Sequence, residues 1–193
     1  NKTLEETKIL LRSSLEKNFK NVDIYIVLVE VRKIKVSLIG NVSNQSSIVL
    51  SSNSRLQDLL KSTTGLNPSS DIRNIKIVSK DGTTGSYDLL SFLRNGDFKQ
   101  NPYLKDGDVV IIEKVNKVVS IMGLVLYPAT YEFREGETIN DLINLAGGLT
   151  YKAREDSIEL IRFNEDGINQ FSQYFSYDYI QQNNIELKFS DLV

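Results

Sequence analysis

Shifted by 83 residues against itself, the sequence aligns over residues 36–110 and 119–193 without a gap. Val36-Ser37-Leu38-Ile39-Gly40-Asn41-Val42 falls on Val119-Ser120-Ile121-Met122-Gly123-Leu124-Val125. The same offset pairs Asp58-Leu59 with Asp141-Leu142, Gly65-Leu66 with Gly148-Leu149, and Leu104-Lys105 with Leu187-Lys188. Of the 75 pairs, 15 are identical, where ordinary residue usage gives on the order of five by chance. Two copies of one small unit are therefore expected, and a unit of about 80 residues is large enough to close its own core.

Each copy shows the same order of signals. A strand (34–42; 117–126) leads through a polar or proline-containing turn into a second strand at Ile48-Val49-Leu50 and Tyr131-Glu132-Phe133, which predicts a hairpin. A short helix follows, capped by Ser54 in the first copy and Thr138 in the second, and stopped at Gly65 and at Gly147-Gly148. Ile75 to Val78 and Ile158 to Ile161 read as a third strand. Lys80 to Gln100 aligns least well and reads as a variable loop with a helical turn from Tyr87 to Leu93; its Asp81-Gly82 matches Asp166-Gly167 at an offset of 85. A polar turn then enters the last strand, Val109 to Ile112 and Leu192-Val193. Hairpin, helix and two returning strands is the β-grasp order, so the fold class is α+β. Ahead of the repeat, residues 2–18 read as a helix, with Leu4, Ile9-Leu10-Leu11, Leu15 and Phe19 at helical spacing, Thr3 as cap and Glu6 three residues on, and the branched run Val22 to Val31 predicts a strand.

Composition removes several function classes. With 23 basic and 25 acidic residues and no long run of either sign, the chain lacks the concentrated cationic surface that nucleic-acid binding needs. Cysteine and histidine are both absent. Thiolate nucleophiles, disulfides, Cys/His zinc sites and imidazole bases go with them, and no spacing brings two carboxylates onto one catalytic face. No enzyme, cofactor or metal is expected. The apolar runs Ile24 to Val31 and Val118 to Leu126 are too short for a membrane-spanning helix, and Asn1 to Glu6 lacks the regions of a signal peptide.

Val119 to Leu149, VSIMGLVLYPATYEFREGETINDLINLAGGL, resembles the SLBB (soluble-ligand-binding β-grasp) module of the Wza-like polysaccharide export outer-membrane family. Carrying the resemblance are a strand ending in Gly-x-Val, a proline turn at Pro128, an aromatic strand, a short helix and Ala146-Gly147-Gly148. Asn101 to Ile112 adds the Asn-Pro-x-Leu-x-x-Gly-Asp-x-Val-x-Ile segment typical of such modules. The family's Pro-Gly turn is Pro128-Ala129 here, and its Ala-Gly-Gly is Thr63-Thr64-Gly65 in the first copy. The resemblance implies residues 1–33 as the remnant of a preceding export domain, 34–115 as a first SLBB module and 116–193 as a second, truncated in its last strand. It also implies a non-enzymatic periplasmic segment at the bacterial outer membrane, with polysaccharide as cargo and a homo-oligomeric conduit as assembly. An inner-membrane chain-length regulator or tyrosine kinase is the implied partner. A soluble β-grasp protein that captures a glycan or another small ligand is the alternative.

The candidate ligand contacts are Tyr174, Tyr177 and Tyr179, because aromatic faces stack on sugar rings; packing is the competing reading. Gly40 and Gly123 mark a bulge or close backbone approach, with a glycan groove as the alternative. Gly147 and Gly148 close a helix or offer backbone amides. Asp108 and Asp191 are expected to fix the turn before the last strand, and Asp58 and Asp141 to lie on a solvated helix face.

Overall fold

A computed structural model describes residues 3–20, 22–63, 66–164 and 167–193. The chain divides into two compact units, one ending at Arg32 and the other beginning at Lys33. The first contains α1 (Leu4–Glu16), whose start is set by a reciprocal capping box: Thr3 Oγ1 accepts from the Glu6 N–H, and the Glu6 carboxylate accepts from the Thr3 N–H. None of its helical residues is buried. The strand expected at Val22 to Val31 does not form: residues 22–32 carry no ladder, and Val27 and Val29 are exposed. Branched residues favour a pleated surface only where a neighbouring strand supplies one.

In the second unit, β1 (Lys33–Gly40) pairs antiparallel with β2 (Ser46–Ser51), and α2 (Leu56–Lys61) follows. Next come β3 (Ile75–Val78), β4 (Thr84–Tyr87), α3 (Leu89–Asn95), a 3-10 turn at Phe98–Gln100 and β5 (Val109–Ile112). The sheet order is β2-β1-β5-β3-β4, with β5 parallel to β1 and antiparallel to β3. A parallel pair at the centre of a hairpin-built sheet requires a crossover, and α2 lies in that crossover. Val36, Leu38, Leu56, Leu59, Ile75, Val110 and Ile112 form the buried centre of one apolar cluster.

The remaining residues repeat this plan as β6 (Val118–Ile121), β7 (Ala129–Glu132), α4 (Ile139–Leu145), β8 (Ile158–Phe163), β9 (Gln170–Phe175) and α5 (Tyr177–Gln182). Hydrogen bonds recur at the sequence offset. Ser37 N–H donates to Asp108 O and Ser120 N–H to Asp191 O, both at 2.9 Å; Leu56 N–H donates to Pro102 O and Ile139 N–H to Ile185 O. Leu192 bridges β6 in parallel and β8 antiparallel, as its counterpart Val109 does β1 and β3. Val119, Ile121, Ile139, Leu142, Ile143 and Leu160 centre a second, separate apolar cluster.

Several expectations need correction. The Lys80 to Gln100 stretch holds β4, antiparallel to β3, as well as a helix. Its second-copy equivalent, β9, pairs with β8 so that Phe175 opposes Ile158 as Tyr87 opposes Ile75. At these strand pairs the offset is 88; the Asp81-Gly82 match at an offset of 85 rests on Asp166, outside the described residues, as does the stop at Gly65. α2 is preceded by Arg55, not Ser54, as N-cap. The first strand of the second copy ends at Ile121, short of the expected Leu126. Asp58 and Asp141 do not merely face solvent. Each accepts the N-cap backbone N–H, from Arg55 at 2.8 Å and Thr138 at 2.9 Å, and in α4 the Asp141 N–H donates back to Thr138 Oγ1, which completes a capping box there.

Candidate functional site

The three tyrosines take three different partners. Tyr174 stands exposed on β9 and donates its hydroxyl to Glu159 Oε1 at 2.8 Å across the hairpin. Hydrogen bonds from Ser172 and Tyr174 hold the Glu159 carboxyl below its usual range. Tyr177 opens α5, packs partly buried against the second apolar cluster, and donates its N–H to Glu155 O. Tyr179, half exposed, stacks on Phe175 with ring centroids 5.7 Å apart and planes 10° from parallel. Tyr174 lies on β9, whereas Tyr177 and Tyr179 sit two positions apart on α5, roughly 200° around its axis, with Ile180 buried.

The glycine and aspartate positions have local explanations. Gly40 sits at φ +100°, and a Cβ there would fall 2.1 Å from Ile112 O, so the backbone approaches too closely for any side chain. Gly147 is similarly crowded by Leu126 and Tyr127, while Gly123 and Gly148 have open space at their Cβ positions. Pro128 immediately precedes β7. Asp108 accepts from Lys105 N–H at 2.8 Å and Asp191 from Lys188 N–H at 2.7 Å, each closing the turn into the last strand. In the second copy Arg162 adds a fork to Asp191 at 2.9 and 2.6 Å.

A buried polar junction between the two clusters was not legible in the sequence. Arg73, 1% exposed, precedes β3 and donates Nε and Nη2 to Asp88 Oδ2 at 3.0 and 2.9 Å, and Nη1 to Glu132 O at 2.7 Å. Its Nη2 also bonds Glu137 Oε1. Asn74 donates to Phe133 O, and Arg134 Nη1 lies 3.4 Å from Asp88. Beside this network the Arg94 guanidinium stacks 3.8 Å from the Tyr127 ring centroid. Two carboxylates thus converge on the Arg73 guanidinium, in an ion-paired junction and not on a catalytic face.

Burial opposes the Arg73 charge, yet Asp88 and Glu137 outweigh it and hold the group above its ordinary value. Burial pushes the Glu137 carboxyl up despite Arg73, and its Oε2 is buried without a described partner. The offset puts Asp156 at the position of Arg73 and Ser54 at that of Glu137, so the junction belongs to no repeated element. A polar cleft of about 270 Å³ opens over it, lined by Arg73, Asp88, Arg134 and Glu137.

A mostly apolar cleft of about 460 Å³ lies in the second copy between the end of β6 and the start of β8. Ile121, Gly123, Val125, Ile143, Leu149, Ile158 and Val193 line it, with Arg154 and Glu159 at its polar margin. Among the described residues, no group of three or more acidic side chains is placed to hold a metal ion.

Two comparisons bear on these features. Residues 118–170 match the SLBB domain family. Two curated Escherichia coli proteins, each described as polysialic acid transport protein KpsD, are 38% identical over 66 residues. That alignment covers 34% of this chain and 12% of each relative, so the chain spans a small part of their length.

Proposed function

From a chain whose residues 118–170 match the SLBB domain family and which is similar over 66 residues to a polysialic acid transport protein, we propose that it forms part of the periplasmic wall of an outer-membrane export conduit and carries no catalytic activity. The observation that supports this most is the SLBB match over residues 118–170, with the 38% identity over 66 residues to a polysialic acid transport protein beside it. The reading takes residues 34–115 as a first SLBB module and 116–193 as a second. Recurrence of ladder bonds at one offset in two separate apolar clusters supports that division. Tandem modules lengthen a wall without new chemistry, and small sheets with accessible edges suit side-by-side assembly. No helix among the described residues is long and apolar enough to cross a membrane.

Arg73 fits this role: a wall made of two stacked modules must not hinge, and a guanidinium that bonds both sides of the junction resists rotation. Cargo in this reading is a polysaccharide that slides past, so tight capture is not required. The separated tyrosines agree with that better than with a converging sugar pocket. Deleting residues 116–193 from the full-length protein tests the proposal in cells. Loss of surface polysaccharide with continued intracellular synthesis supports it, while unchanged export refutes it. Saturable, tight binding of one oligosaccharide that is lost on Tyr177→Ala, with folding intact, refutes it in favour of a capture protein.

A further inference from the structure

One aspartate common to both copies has different company in each. In the second copy Asp191 is 1% exposed, and Arg162 forks onto it, Nε to Oδ1 at 2.9 Å and Nη2 to Oδ2 at 2.6 Å. The same Nη2 donates to Glu186 O at 2.8 Å. In the first copy Asp108 is 2% exposed. Its Oδ2 accepts the Lys105 N–H, as Asp191 Oδ2 accepts that of Lys188. Its Oδ1 is buried and bonds nothing among the described residues. A buried carboxylate oxygen without a hydrogen bond is costly, and it calls for a donor.

The strand register identifies the donor that fits. Val78 lies opposite Val109 in the antiparallel β3–β5 pair, and Ile161 bridges Leu192 in the same sense. One step beyond each pair, Ser79 comes opposite Asp108 and Arg162 opposite Asp191. Serine thus stands where the second copy has arginine, and its short side chain makes no bond to Oδ1. Lys105 does not take the place of that arginine: its counterpart Lys188 is also lysine and coexists with the Arg162 fork. A cleft of about 350 Å³ opens beside this pair, lined by Ser79, Thr83, Tyr87, Tyr103, Lys105 and Asp108. Tyr103 is the counterpart of Glu186, whose carbonyl takes a further bond from Arg162. Its ring already carries the Arg55 guanidinium 3.8 Å from the centroid, and tyrosine faces suit a planar cation.

We propose that this cleft of the first copy binds a guanidinium group brought from outside it. Asp108 is the anion that receives the group, and Ser79 is the residue whose small size leaves room for it. The second copy carries the same interaction built in, so the duplicated unit has one filled and one open version of a single site. An ammonium is a poorer match, because a point charge does not reproduce a planar two-nitrogen fork.

Titration of the chain with argininamide at low ionic strength, followed by amide NMR, tests the proposal. Saturable shifts are expected at Ser79 and Lys105, with none at Lys188 and Asp191, whose site Arg162 occupies. Lysinamide is expected to bind about tenfold more weakly. Ser79→Arg is expected to abolish binding and to move the Lys105 amide, without ligand, toward its saturated position. Asp108→Asn, which keeps an oxygen for the Lys105 N–H, is expected to abolish binding as well. Absence of a shift at Lys105 overturns the proposal. So does binding that survives either substitution, equal affinity for lysinamide, or equal shifts in both copies. Shifts of the saturated kind that grow with protein concentration in the ligand-free chain support the site and assign its guanidinium to a second copy.

Discussion

Arg73 shows how one residue can matter to a chain made of two similar parts while belonging to the pattern of neither. Its guanidinium bonds carboxylates from both copies and a backbone carbonyl of β7. Replacing it leaves Asp88 and Glu137 together in the junction with only the partly exposed Arg134, 3.4 Å from Asp88, as counter-charge. Arg73→Met is therefore expected to lower the unfolding free energy by about 3–5 kcal/mol, read from urea titrations. Glu137 carries the opposite sign of effect. The folded chain keeps its proton to higher pH than the unfolded chain does, because burial disfavours the charged form. This group therefore favours folding at acid pH, and that contribution is lost as pH rises through its folded-state pKa. Glu137→Gln, which imitates the protonated acid, is expected to raise Tm relative to wild type by about 2 °C more at pH 7.5 than at pH 4. A constant difference across that range contradicts the assignment. Neither residue could be found by spacing, since Arg73 and Glu137 lie 64 positions apart and charged residues in a sequence carry no mark of burial.

Among the elements, those whose apolar faces build a core were readable and those at the sheet margins were not. β1, β3, α2 and α4 announce themselves through Val36, Leu38, Ile75, Ile77, Leu59 and Leu142, all inward at their proper period. β4 is Thr-Gly-Ser-Tyr and β9 is exposed at five of its six residues, so neither displays the alternation that marks a half-buried strand. The run Val22 to Val31 fails in the opposite direction, with strand composition but no ladder. Capping distinguishes the two repeated helices. Thr138 caps α4 with its own side chain, whereas Arg55 instead sends Nη1 to Asn101 O and lies 3.8 Å over the Tyr103 ring. Thr138→Ala is expected to cost about 1 kcal/mol in chemical denaturation, and Thr138→Ser much less. Tyr177→Ala is expected to lower Tm, because the ring packs on the second apolar cluster, while Tyr174→Phe, which removes only the hydroxyl bonded to exposed Glu159, is expected to leave Tm within about 1 °C.

For the whole molecule, the proposed role as a wall segment of a polysaccharide conduit rests on the recurrent β-grasp plan, the Arg73 junction and the SLBB match. The duplication and the resemblance were visible in the sequence because ladder-forming positions tolerate few residue types and so leave a periodic trace. The junction was invisible because it arose from differences between the copies. A wall segment works only as one of several around an axis, so assembly is where the account is most exposed. Sedimentation velocity of the full-length protein, in detergent and in buffer, tests it most directly. A discrete closed oligomer in detergent is the expected result; a strict monomer under both conditions contradicts it.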